Sequence, residues 1–365
     1  MKTTFRTFTL WLSSVLLSVP CGGGCSCSEA NFESTIALPM KGHPRYSIRD
    51  LTAFRADVLA WYGQHRRDLP WRRTSDPYRI WLSEIMLQQT RVAVVIERYE
   101  QFLNRFPSVQ KLAAARETSV LAEWSGLGYY RRARNLHAAA KVVVRAYAGE
   151  FPRTPAELKA LPGIGRYTAA AIASIAFGEP IAVVDGNVER VILRLFGSPA
   201  LSGEGMWTAA NHMLCAKNPG DFNQAMMELG ATVCLPAEPK CLNCPVRKFC
   251  RTQGRHSSAT AKSRQVKREV AHALARRFDS VLLTQRASTG SLMPAMWELP
   301  QVTLREADEE LFSLRHSITI TNYTVRVVAR RDALAGTWIK NSRLRTLPLT
   351  GLTKKILRRA GVIQK

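Results

Sequence analysis

From Ser47 onward, apolar residues recur at the three- and four-residue spacing that gathers them on one face of a helix. Leu51–His65 follows this pattern, as do Val92–Phe106, Val109–Ala115, Ala133–Tyr147, Pro155–Leu161, Ala169–Phe177, Val188–Phe196 and Met206–Cys215. Ile80 to Leu87 is apolar almost all round, which predicts a helix buried on every side. Nothing before Cys250 alternates long enough to need a sheet. Arg251 to Arg268 is rich in Ser, Thr, Gln and Lys and reads as a linker. Beyond it the texture changes. Val281–Gln285 and Thr319–Val328 read as strands, separated by Gly290, Pro294 and Pro300. The pattern predicts a mostly α chain with a small C-terminal α+β domain that has its own core.

Length and charge sharpen this picture. The 365 residues suit two domains, and an apolar fraction of 46% allows a sizeable core without disulfides. Lys and Arg number 52 against 28 for Asp and Glu, a formal net charge of +24. Such a balance calls for a polyanionic partner, nucleic acid first and an anionic membrane surface second. The basic residues are spread along the chain, which favours a basic face over a basic tail. Lys2 and Arg6 precede an apolar run, Phe8 to Val19, that resembles a secretory leader and is short for a bilayer span. A leader conflicts with the thiol chemistry described next, so Met40 is the better start, and residues 1–39 are set outside the fold.

Four motifs carry candidate chemistry. Leu161-Pro162-Gly163-Ile164-Gly165-Arg166-Tyr167-Thr168-Ala169 places a tight turn before a helix, where backbone N–H groups and the positive helix end suit a phosphate. Asp185 follows four apolar residues at a helix start, either as an N-cap or as a carboxylate at a pocket edge, and the two are compatible. Glu84 sits in the all-apolar helix. A buried glutamate has a raised pKa and suits general acid catalysis, unless it is paired with a nearby arginine such as Arg73 or Arg91. Two carboxylates of this kind suit cleavage of a glycosidic bond. Gln88-Gln89-Thr90 and Gly126-Leu127-Gly128-Tyr129-Tyr130 could fill an opened base stack, although packing is the plain alternative for the tyrosines. Arg131, Arg132 and Arg134 suit phosphates. Finally, Cys234, Cys241, Cys244 and Cys250 are spaced C-x6-C-x2-C-x5-C, as ligands of an iron–sulfur cluster or of zinc in a reducing compartment.

Together these segments resemble the endonuclease III superfamily of helix–hairpin–helix DNA glycosylases, and within it the adenine-removing MutY type, over roughly Leu51 to Lys365. The resemblance implies a two-lobed helical glycosylase domain at 40–252 that includes the cluster loop. A linker at 253–268 and a MutT-like α+β domain at 269–365 follow. It implies Glu84 as the acid that protonates adenine and Asp185 as the stabiliser of the cationic sugar, with Tyr167 and Asn187 in support. Gln88, Gln89 and Tyr129 would meet the DNA stack, and Gly163, Gly165 and Arg166 its backbone. The cysteines would hold a 4Fe–4S cluster that shapes a loop, Leu235 to Lys240. The implied partner is double-stranded DNA carrying A opposite 8-oxoguanine or G, met by a monomer in the cytoplasm of a bacterium, at the nucleoid and away from membranes. Endonuclease III itself, a combined glycosylase and lyase, is the sibling reading. It needs a lysine nucleophile where Tyr167 stands. A DNA-binding module without activity would have no use for both Glu84 and Asp185, and a zinc protein would be colourless. One departure touches the lesion reader: the family's Phe-Ser-His is Ile318-Thr319-Ile320 here, so Thr319 keeps a hydroxyl but the histidine is gone.

Overall fold

In order along the chain, helices α1 (Ile48–His65), α2 (Pro77–Leu87), α3 (Val92–Arg105), α4 (Val109–Ala113), α5 (Glu117–Glu123) and α6 (Arg131–Ala146) come first. Helices α7 (Pro155–Lys159), α8 (Arg166–Phe177), α9 (Gly186–Phe196), α10 (Gly203–Met213) and α11 (Pro219–Thr232) follow. The computed structural model describes residues 48–199, 201–255, 266–289, 293–318, 320–330 and 334–364, all within one compact unit. The leader, Thr319 and most of the linker lie outside the described residues.

Local chemistry sets the helix ends. Asp76 caps α2 by accepting from the Tyr78 and Arg79 amides, with Pro77 in the first turn; Ser108 and Thr154 cap α4 and α7 in the same way. Gly178 and Gly197 end α8 and α9 in the left-handed conformation. The helical core gathers Trp81, Phe102, Leu112, Trp124, Leu136, Leu158 and Ile172, all nearly inaccessible.

Of these eleven helices, two go beyond the periodicity reading, α5 and α11. Phe222, Ala225, Met226 and Leu229 of α11 do stand at helical spacing and are buried, but the buried polar Asn223 and Glu228 interrupt the apolar stripe. The C-terminal part is a sheet structure. Strands β1 (Val266–Leu274), β2 (Arg276–Arg277), β3 (Ser280–Gln285), β4 (Trp297–Glu298), β5 (Gln301–Val302), β6 (Glu309–Ile318), β7 (Thr321–Ala329) and β8 (Thr337–Lys340) precede helix α12 (Gly351–Arg359). One sheet has the order β5-β1-β7-β6; in the other β3 pairs with β2, β4 and β8. β1 runs parallel to β7 from Val266↔Thr321 to Leu274↔Ala329, so the strand starts inside the stretch read as linker. Its charged first half, with Lys267, Arg268 and Glu269 exposed, hides it from a hydropathy pattern. β6 is hidden for the same reason, an edge strand with only Leu314 buried.

The helical and sheet parts meet closely. Met296, fully buried, belongs to the helical core, with Met293 packed beside it. Ser125 Oγ and Tyr130 Oη both donate to the Leu349 carbonyl, at 2.9 and 3.2 Å, and Arg134 donates to the Pro294 carbonyl at 2.6 Å. Among the described residues no helix is long and apolar enough to cross a membrane.

Candidate active site

Helix α2 buries Tyr78, Ile80 to Leu82, Ile85 and Met86, and this packing carries Glu84 inward to 6% exposure. Its Oε2 accepts a 2.7 Å hydrogen bond from the Tyr167 hydroxyl, which stands in the first turn of α8. The arginine pairings considered for Glu84 do not occur: Arg73 is bound to Asp68, and Arg91 precedes α3 as its N-cap residue. Burial pushes the Glu84 carboxyl up to about 7; the Tyr167 hydrogen bond lowers it, Asp185 raises it and Arg72 lowers it again. Burial and the two carboxylates hold the Tyr167 phenol well above its ordinary range, so it stays a donor.

Asp185 is both an N-cap and a pocket residue. Its Oδ1 accepts from the Asn187 and Val188 amides at 2.9 and 2.7 Å, and its Oδ2 from Asn187 Nδ2 at 2.9 Å. Buried Asn223 fixes the approach to it, accepting from the Val183 amide at 3.1 Å and donating to the Ile181 carbonyl at 2.8 Å. Arg190 orients Asn187 through its Oδ1 at 2.8 Å. Gly230 of α11 lets the two helices meet, since a Cβ there would stand 2.6 Å from Asn187 Cβ.

Glu84, Tyr167, Asp185 and Asn187 face one cavity of about 560 Å³, with Gln88 and Gln89 on its rim. Its other wall comes from residues that the sequence reading passes over: Arg67, Leu69, Trp71, Arg72, Gln224, Met227 and Glu228. The Glu228 side chain is fully buried, and it accepts from Arg67 Nε and Nη2 at 2.7 Å each and from Arg72 Nη2 at 2.8 Å. Burial alone would raise its carboxyl, but the two arginines outweigh it and hold the group at about 2. A signal for it exists in the sequence: like Glu84, Glu228 is an acid on an apolar helix face.

Other candidates stand away from the cavity. Tyr129 is exposed at φ 47°, presented by a loop whose Gly126 and Gly128 also have positive φ. Arg132 does not face solvent as a phosphate ligand would. Its Nη1 donates to the carbonyls of Ile85, Met86 and Gln88 at 2.7, 2.9 and 2.5 Å. Its Nη2 reaches Leu127 O at 3.0 Å and Thr90 Oγ1 at 3.1 Å. A guanidinium is the one side chain with enough donors to close a helix C-terminus and two loops at once. Arg134 pairs with Glu117. In the hairpin, Gly163 needs its identity: φ is 75°, and a Cβ would fall 2.5 Å from Asn135 Cβ. Gly165 caps α8 with open space around it, which leaves its backbone approachable. Arg166 is engaged, paired with Glu204 and lying 4.1 Å over the Trp207 ring.

The four cysteines beyond α11 are free thiols around a second, smaller cavity. No three His, Cys, Asp or Glu side chains among the described residues are arranged to hold a single metal ion. Four thiols lining one cavity are a donor set that an iron–sulfur cluster or a zinc ion could use. Arg194 donates to Cys234 Sγ at 3.2 Å, and Gly254 leaves room, since a Cβ there would come 3.3 Å from Cys241 Sγ. Burial pushes the Cys244 thiol up to about 11, so that ligation would have to displace its proton.

A family model described as HhH-GPD superfamily base excision DNA repair protein matches residues 82–216. The adenine DNA glycosylase of Homo sapiens is 47% identical over 222 residues, covering 57% of this chain and 41% of its own. That of Buchnera aphidicola (strain APS) is 40% identical over 202 residues, covering 54% and 58%. The chain thus spans about half the length of these relatives. A solved thermostable thymine-DNA glycosylase is 32% identical, covering 57% of this chain and 98% of its own, with a TM-score of 0.54. An endonuclease III trapped on DNA shares the fold at 23% identity, covering 58% and 99%, with a TM-score of 0.51. With its hairpin before α8 and its two carboxylates in one cavity, the chain belongs to the HhH-GPD superfamily of base excision DNA repair proteins.

Proposed function

We propose that this chain is a monofunctional adenine DNA glycosylase that hydrolyses the N-glycosidic bond of adenine opposite 8-oxoguanine or guanine. The observation that carries the reading is the pairing, in one cavity, of a carboxyl held at about 7 with a second carboxylate fixed by helix amides. The adenine nucleotide leaves the stack and its base enters the cavity. Glu84, protonated, gives its proton to the base, and the glycosidic bond breaks with its electron pair going to adenine. Asp185 offsets the charge on the sugar. Water adds at the sugar carbon and returns a proton to Glu84. Tyr167 orients Glu84, and Asn187 orients Asp185. Gln88, Gln89 and Tyr129 fill the opened stack, while Gly163 and Gly165 hold the backbone of double-stranded DNA through their amides, with Arg166 beside them.

The relatives named as adenine DNA glycosylases support this substrate, and Tyr167 argues against the combined glycosylase and lyase, since a phenol forms no Schiff base. Cys234, Cys241, Cys244 and Cys250 would hold a 4Fe–4S cluster, a structural brace for the loop from Leu235 to Lys240. We read residues 40–252 as the glycosylase unit, 253–268 as linker, and 269–365 as the lesion reader, with Thr319 at its contact point. The test is single-turnover release of adenine from duplexes with A opposite 8-oxoguanine, G or C. Release on the first two without strand scission is expected, from a yellow-brown protein with about four irons per chain. Strand cleavage before heat or alkali would favour the lyase instead.

A further inference from the structure

Arg134, which reaches across to the sheet part, pairs with Glu117, and within the sheet part Arg286 pairs with Glu298 and Arg330 with Asp308. On α12, Lys355 and Arg359 donate to the carbonyls of Arg315 and Ser313, at 2.7 and 2.8 Å, and so cover the edge strand β6. The next pair along the helix, Lys354 and Arg358, behaves differently. Lys354 stands within electrostatic reach of Arg98 of α3 and of Arg358 one turn along its own helix, and among the described residues none of these three cations has a carboxylate within ion-pair distance. Arg98 Nη1 donates only to the neutral Gln101, at 3.2 Å.

The surroundings fix where this cluster lies. Arg98 Nη2 is 3.3 Å from where a Cβ would stand on Gly126, so the guanidinium rests on the loop that presents Tyr129. Ser125 and Tyr130, at the base of that loop, hold the Leu349 carbonyl just ahead of Thr350, which caps α12. Arg98, resting on the loop that carries the exposed Tyr129, thus joins Lys354 and Arg358 of α12 in one group of cations from two elements. We propose that Arg98, Lys354 and Arg358 form a binding site for the phosphodiester backbone of the DNA strand that passes the Gly126–Tyr129 loop. The identity of that strand rests on the glycosylase reading of the cavity; the anion site itself does not.

The electrostatics agree. Burial, then Arg98 and then Arg358 push the Lys354 ammonium down to about 8, with Glu123 opposing. The free protein therefore gathers like charges that Glu123 offsets only in part and that a phosphate would relieve, and removing one should not harm the fold.

The experiment uses the full chain and an undamaged duplex, with binding followed from about 50 to about 200 mM salt. Wild type, Arg98→Gln and Lys354→Met are compared, with melting temperatures and adenine release measured in parallel. Each variant should lower the magnitude of the slope of log K against log salt by about 0.9, the signature of one lost phosphate contact. Lys354→Met should melt no lower than wild type, and base release at saturating protein should be unchanged. Unchanged slopes in both variants overturn the site, even if adenine is released normally. Lower melting temperatures in both mark the cations as structural and overturn it too. Reduced slopes from a chain that releases no adenine leave the site standing and remove the glycosylase reading.

Discussion

The two walls of the cavity each bury a glutamate, and the two glutamates are opposites. Glu84 on α2 has a neutral partner, Tyr167, and its carboxyl is pushed up to about 7. Glu228 on α11 is bound by Arg67 and Arg72 and held at about 2. Residue type and burial are the same; the partners decide. A buried acid given two guanidiniums becomes a fixed anion that organises a wall, whereas one given a phenol keeps a proton it can transfer.

The comparison breaks first at Glu84. Glu84→Gln should slow single-turnover adenine release by roughly 10²–10⁴-fold, since the amide keeps the shape but has no acidic proton. Its melting temperature should not fall. Glu228→Gln should do the reverse in kind, destabilising the fold by about 1–3 kcal/mol as the charge-assisted bonds from Arg67 and half-buried Arg72 are weakened. Denaturant unfolding of both variants checks the contrast, and equal stability losses would erase it.

The pH dependence sharpens it. With Glu84 raised, release should decline as pH rises through about 7, where the acid loses its proton. The stability terms run in opposite directions. The Glu84 contribution is full below its unfolded value and is lost as pH rises through about 7. The Glu228 contribution is full above its unfolded value and is lost as pH falls through about 2. The stability difference between wild type and Glu84→Gln should therefore shift against wild type as pH rises toward 7. A flat difference would mean that Glu84 titrates normally. The smallest effect belongs to Tyr167→Phe. Losing the 2.7 Å hydrogen bond, worth about 0.5–1.5 kcal/mol, should move the alkaline limb of the rate profile upward.

Much of this site is legible in the sequence for a physical reason. Glu84 and Asp185 are acids in apolar company, where a charge is costly unless it has a partner or a task. The cysteine spacing and the Gly163 turn are equally local signals. Glu228 escapes because its helix begins at Pro219-Gly220 and carries a second buried polar residue, Asn223. Arg132 misleads because sequence gives a charge but not its direction: the side chain that looks free for phosphate closes the end of α2. Strands β1 and β6 are invisible because much of each is exposed and charged, and ladder pairing with β7 rather than an apolar face of their own holds them in the sheet.

Met296 has a consequence for how the molecule comes apart. A side chain from the sheet part that is fully buried in the helical core ties the two parts into one cooperative structure. Calorimetry should then record one heat-absorption peak rather than two. Met296→Ala would loosen that tie by opening a void of several methylenes, at about 2–5 kcal/mol. The sheet part and the helical part would begin to melt separately, each at its own temperature.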